Sequence, residues 1–317
     1  MRMKRHRDAL QKRVPRPHSG GVAAFVLAGL SIPLINGWLV QAATKPGPSK
    51  DVGYIERIVG DLKDIRIDRH GESVQPAILL PLRADDRVFL KRGSELYLQL
   101  GNRRVVIAEK DSPYRVPTVD APPAFLTRLR STLMSLGAKL TSQYVRSSVP
   151  VSTSSRGHEG PLSMPVVVDD SSRLGSHRTT IHIAWEGGTA PFTVQILSGQ
   201  GKTLAAKERV QEWRLQLLWS AGPIPEGPAR IVVEDGAGQR ISKLINLVPV
   251  HSLPEQVAQD DLPPTLHAII AADHLIQTNR RQWGFEAYQD LADLADSYEP
   301  ARLLRDCLEA IPSCYQR

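Results

Sequence analysis

Residues 85–107, DDRVFLKRGSELYLQLGNRRVVI, alternate apolar and polar side chains around two tight loops. Leu96, Leu98 and Leu100 fall on one side of an extended chain, Gly101-Asn102 turns it, and Val105 and Ile107 resume the alternation. Gly-Asn between two such runs predicts a two-residue hairpin, because glycine supplies the positive φ that a primed turn requires. Its register follows from the turn: Leu100 faces Arg103, Gln99 faces Arg104, Leu98 faces Val105 and Leu96 faces Ile107. The stretches YIERIVG, LKDIRIDR closed by His70-Gly71, and DRVFLK closed by Arg92-Gly93 predict further strands. Residues 52–117 therefore read as an antiparallel β domain, a sandwich or a partly rolled barrel.

The period then changes. Phe125, Leu126, Leu129, Leu133, Leu136 and Leu140 recur at helical spacing, which predicts a helix packed on the sheet within a 118–160 segment whose remainder, SSVPVSTSSRGHEGPLSMP, is a polar connector. Alternation returns over 161–250. Ile181, Ile183 and Trp185 lead into Gly187-Gly188, followed by Phe192, Val194 and Ile196, by Trp213, Leu215, Leu217 and Trp219, and by Ile231 and Val233 before the EDGAGQ turn and RISKLINLV. Six or seven short strands at this spacing resemble an immunoglobulin-like sandwich, without the cysteine pair of an antibody domain. Residues 262–317 return to helical spacing, with Leu266, Ile269 and Ile270, then Ala287, Leu291, Leu294 and Tyr298, then Leu304, Cys307, Leu308 and Ile311 after Pro300. Three short helices, capping the second β domain, are expected. The fold class is thus mainly β with α.

Charge and composition matter most at the amino terminus. The chain has 317 residues and a formal charge of +7, yet residues 1–20 alone carry seven Lys or Arg against Asp8. The rest is close to neutral, so no basic stripe on a folded domain suggests nucleic acid as a partner. Behind the basic flank, residues 22–40 run apolar without a charge. Residues 1–43 therefore read as an export segment whose orientation leaves the following chain outside the inner membrane. Val40-Gln41-Ala42 offers small side chains for signal-peptide cleavage after Ala42 or Ala43, while the length of the run suits an uncut inner-membrane anchor. Two cysteines, Cys307 and Cys314, would lie about 10 Å apart on a continuous helix. Pro312 between them should turn the chain, which makes a disulfide between them an expectation for an oxidising compartment.

The segments VGDLKDIRIDRHGESVQ and LPLRADDRVFLKRGSELYLQLGNRRVVI resemble the FecR-like extracytoplasmic domain. The match rests on Gly60, Gly71, Asp86, Gly93, Ser94 and Gly101, and Ala84-Asp85-Asp86 stands where Gly-Asp is usual. These are turn positions, so the resemblance implies a fold more than a ligand. Regulatory members of that family carry a cytoplasmic domain that binds a sigma factor; only about 20 residues precede the apolar run, too few to fold alone.

Candidate chemistry is sparse. Walker, strand-linked GxGxxG, GxSxG and HExxH patterns are missing from the sequence. SGQGKT at 198–203 imitates half a phosphate loop and reads as a β-turn. His267 and His274, seven apart, lack a carboxylate at metalloenzyme spacing, and Asp85-Asp86 and Asp169-Asp170 lack the further oxygens of a calcium loop. Trp213 and Trp219 read as core, with a sugar-stacking platform as the alternative. No catalytic, cofactor or metal residue is expected. The sequence points to a non-catalytic exported envelope protein that binds a protein or a cell-wall polymer, with a membrane-anchored FecR-like sensor as the alternative and an envelope hydrolase behind both.

Overall fold

The structure, a computed structural model, describes residues 50–148, 160–168, 170–219, 226–249 and 262–310. The apolar segment 22–40, Ala42, Ala43 and Cys314 lie outside the described residues. Within the compact unit Gly47–Arg317, the first module contains β1 (Asp51–Val59), β2 (Ile65–Arg69), β3 (Glu72–Val74), β4 (Pro81–Arg83), β5 (Arg87–Leu90), β6 (Glu95–Leu100), β7 (Arg103–Ala108) and β8 (Tyr114–Arg115). They form two four-stranded sheets, β4-β1-β6-β7 and β3-β2-β5-β8. Leu96, Leu98 and Leu100 from the first sheet and Ile65, Ile67, Val88 and Leu90 from the second are buried in the core. The β6–β7 hairpin has the register expected from its alternation, including Leu100 opposite Arg103 and Leu96 opposite Ile107, and Gly101 turns it at φ +53°.

Two helices close the other side. In α1 (Ala124–Arg128) and α2 (Arg130–Ser148), Phe125, Leu126, Leu133, Leu136 and Leu140 are buried, the stripe their spacing predicts. Close approach decides one residue here. A Cβ on Gly137 would sit 2.1 Å from the Ile78 carbonyl oxygen, and one turn on Thr141 Oγ1 accepts the Ile78 amide at 2.9 Å. The helix start is held by Arg130, whose guanidinium reaches both Asp51 oxygens at 2.7 and 2.8 Å.

The second module holds β9 (Arg173–Gly175), β10 (Thr180–Ala184), β11 (Phe192–Ser198), β12 (Thr203–Val210), β13 (Arg214–Leu218), β14 (Gly227–Glu234) and β15 (Arg240–Val248). They make a five-stranded sheet, β12-β11-β14-β15-β9, and a two-stranded sheet, β10-β13. All pairs are antiparallel except β15 with β9, so the large sheet is mixed. Asp235 fastens the β14–β15 turn by accepting the amides of Thr189, Ala237 and Gln239 at 2.7–3.0 Å. Ser198 and Lys202 close the SGQGKT stretch as a hairpin turn between β11 and β12.

The final described segment is α3 (Pro264–Leu294), broken at Asn279 (φ −163°, ψ 91°) into two helical halves, followed by α4 (Glu299–Glu309). That gives three helical stretches, as the spacing predicts. Their placement goes beyond a cap on the second module, because α3 packs on β9 and β10 while α4 packs on β1 and α2. Helices from the end of the described chain thus join the two β modules. Among the described residues no helix is long and apolar enough to cross a membrane.

Candidate functional site

Polar side chains concentrate where α3 and α4 meet the β modules. Arg178, just after β9, turns its guanidinium onto Glu286 (3.0 Å from Nε to Oε1) and onto Asp290 (2.7 Å from Nη2 to Oδ1), both on α3. The second Glu286 oxygen accepts the Gly175 amide at 2.7 Å. Burial pushes the Asp290 carboxyl above its ordinary value, and Arg178 only partly offsets it. Gln289 does for β10 what a neighbouring strand would: its Oε1 accepts the His182 amide at 2.7 Å and its Nε2 donates to the His182 carbonyl at 3.0 Å. On the first module, Lys139 of α2 pairs with Asp273 of α3 at 3.1 Å. Nearby, the Tyr54 phenol is pushed up to about 12, chiefly by burial. The Tyr298 hydroxyl is buried without a well-aligned hydrogen bond, its nearest polar neighbours including the hydroxyls of Tyr54 and Thr265.

A groove of about 300 Å³ between β10, β13, α3 and α4 is lined by His182, Arg214, Tyr288, Asp296 and Arg305 among others. Its reactive groups face one another. Arg214 forks onto Glu309 with Nε 3.0 Å from each oxygen, the Tyr288 hydroxyl donates to Glu309 at 2.7 Å, and His182 Nε2 lies 2.7 Å from Asp293. Burial, with the Glu309 charge beside it, raises the Tyr288 phenol well above its ordinary value, so at neutral pH it is a hydrogen-bond donor and not a base. The arrangement fastens helices to sheet.

A second cleft, about 410 Å³, opens on the solvent face of the β3-β2-β5-β8 sheet and is lined by Asp68, His70, Gly71, Asp85, Arg87 and Arg115. The register explains the clustering: Asp68 faces Arg87 across β2–β5, and Arg87 faces Arg115 across β5–β8. Asp85 has φ +70° and accepts from Arg115 Nε at 3.0 Å. Its backbone conformation is one glycine enters freely and aspartate tolerates better than most residues.

The residues singled out from sequence are scattered. Asp85 and Asp86 point apart: Asp86 is buried and held by Arg69 at 3.0 and 2.7 Å, whereas Asp85 meets Arg115 at the surface. Asp169 lies outside the described residues, and the Asp170 carbonyl accepts from Asn246 at 3.3 Å. His267 and His274 both sit on α3, with His274 Nε2 3.3 Å from the Thr278 hydroxyl. Among the described residues no three His, Cys, Asp or Glu side chains gather as metal ligands. Trp213 packs edge-on against Phe192, itself edge-on to Trp185, with ring centroids 5.9 and 5.3 Å apart, and its indole donates to the Gly187 carbonyl. Trp213 and Trp219 are both half-buried against the core. Cys307 is fully buried on α4; its expected partner, Cys314, is outside the described residues. Sequence reasoning missed Arg87 and Arg115, which become neighbours only once β8 is known to pair with β5.

The sheet borders differ in protection. On the border strand β12, Lys207, Glu208 and Arg209 are exposed, the kind of charge that discourages pairing, while β9 and β4 are only three residues long. The six-residue border strand β7 runs Val105-Val106-Ile107-Ala108 after two arginines, and Val106 is 50% exposed.

No protein-family model matches the chain, and no curated protein matches it. Similar solved structures include the BSP domain of a biofilm-associated protein, 13% identical over 28% of this chain and 15% of that one, with a TM-score of 0.22. CopC from Methylosinus trichosporium OB3b is 16% identical over 27% of this chain and 91% of its own, with a TM-score of 0.21. The complex of Porphyromonas gingivalis RgpB pro- and mature domains is 9% identical over 28% of this chain and 19% of that chain, with a TM-score of 0.23. Likenesses this slight carry no argument about architecture or activity.

Proposed function

We propose that this chain is a non-catalytic exported envelope protein, built on a FecR-like domain and an immunoglobulin-like domain, that binds a protein or cell-wall partner. The observation that carries the reading is the border strand β7, whose stretch after Arg104, Val105 to Ala108, is uncharged, with Val106 half exposed and no second neighbouring strand among the described residues. A border of this kind accepts an added strand, with main-chain hydrogen bonds supplying affinity and alternate side chains supplying selectivity. The paired arginines and carboxylates in the helix junction support the same reading, since they hold two modules in fixed relation and so present that border on a rigid body. Export rests on the basic flank and the apolar run 22–40, with cleavage after Ala42 or Ala43.

The test joins location and capture. A mature chain in the envelope fraction, shortened at its amino terminus, is expected. Cross-linking in envelope extract should trap a partner on the wild-type protein and lose it with Val106→Lys, which leaves thermal stability unchanged. A full-length cytosolic protein, or equal trapping by the variant, would overturn the proposal.

A further inference from the structure

The cleft over β2, β5 and β8 contains an electrostatic oddity. Arg87 and Arg115 stand directly opposite on paired strands, an arrangement that costs stability unless something neutralises both charges. Arg115 is neutralised by Asp85 at 2.9 Å. Arg87 faces the carboxylate of Asp68 across β2–β5, but among the described residues its guanidinium makes neither a hydrogen bond nor an ion pair, so its donors stay open to solvent. Asp68, its other cross-strand neighbour, gives Oδ1 to the Gly71 amide at 2.9 Å and leaves Oδ2 without a partner. Asp85 likewise uses only Oδ1. The cleft therefore offers one uncommitted five-donor fork between two carboxylate oxygens that can each accept a hydroxyl.

From this we infer that the cleft binds an acidic glycan, with a uronic-acid carboxylate on Arg87 and neighbouring sugar hydroxyls donating to Asp68 and Asp85. A planar guanidinium matches a carboxylate with two parallel hydrogen bonds. The two carboxylates already in the wall disfavour a doubly charged phosphate, and they give hydroxyl groups acceptors that an apolar peptide side chain would leave unused. The volume, about 410 Å³, is in the range of small-ligand clefts. Phe89, two residues along β5 on the same face, is already covered by Arg66 at 4.3 Å, so selectivity rests on charge and hydroxyls and not on ring stacking.

The inference deepens the binding reading above by naming a polymer class, and it can fail while the partner captured at β7 survives. Titration calorimetry of the full chain with a galacturonic acid trimer should show binding, with the neutral galactose trimer at least tenfold weaker. Arg87→Gln should weaken the acidic trimer roughly tenfold or more, the scale of a lost charge-assisted pair. Lys207→Gln, on the exposed face of β12, should leave it unchanged. Arg87 is exposed, so its variant is expected to melt with the wild type, which separates lost binding from lost folding. No binding of the acidic trimer, equal binding of the neutral one, or an unaffected Arg87→Gln protein would overturn the inference. Tighter binding of galactose 6-phosphate that also depends on Arg87 would overturn the carboxylate assignment.

Discussion

Arg178 ties the helix junction to the second β module. It answers two carboxylates, Glu286 and Asp290, in a site where its own side chain is only 11% exposed. Replacing it with Met keeps the volume and leaves the buried Glu286 without its cation, while Asp290 can turn to solvent, at a cost of about 3 kcal/mol, measurable as a lower urea midpoint. Glu56 gives the complementary pH experiment. Burial raises its carboxyl above 4.5, opposed by Arg104 and Arg57, so the folded chain holds this proton more tightly than the unfolded one. Its neutral form favours folding, and that contribution falls as pH rises from about 4.5 through the raised folded value. The difference in urea midpoint between wild type and Glu56→Gln, followed across that window, should drift in favour of the variant as pH increases. A flat difference would contradict the assigned burial. None of these roles was visible in sequence, since an arginine next to a strand looks the same whether it faces water or a helix 108 residues away.

At the level of elements, Gly137 is the tightest fit of α2 against the 78–79 loop. Gly137→Ala improves helix propensity and still should destabilise by about 1–3 kcal/mol in chemical unfolding, because the added methyl has nowhere to go. The elements that sequence revealed are those with a long period and a turn residue: the β6–β7 hairpin, the α2 stripe, and the strands around Trp185, Phe192 and Trp213. Those it hid are β3, β4, β8 and β9, at two or three residues too short to show alternation. The hidden β8 matters, because it brings Arg115 opposite Arg87 and so builds the cleft. Gln289 shows another reason for silence: a helix residue completes the hydrogen bonding of β10, which no strand pattern announces.

Across the whole molecule, the helical segment ties the two β modules into one cooperative body. Calorimetry of the wild type should show a single transition. Leu304→Asp, placing a charge at a position 1% exposed on α4, should separate it into two as the modules lose their common support. The union also orders events in time. The helix that roofs β1 is translated some 240 residues after it, so the first module must wait, one face bare, until the far end of the chain has been made. A polypeptide stopped before α4 would carry that greasy face permanently, and chaperones and proteases would recognise it as unfinished.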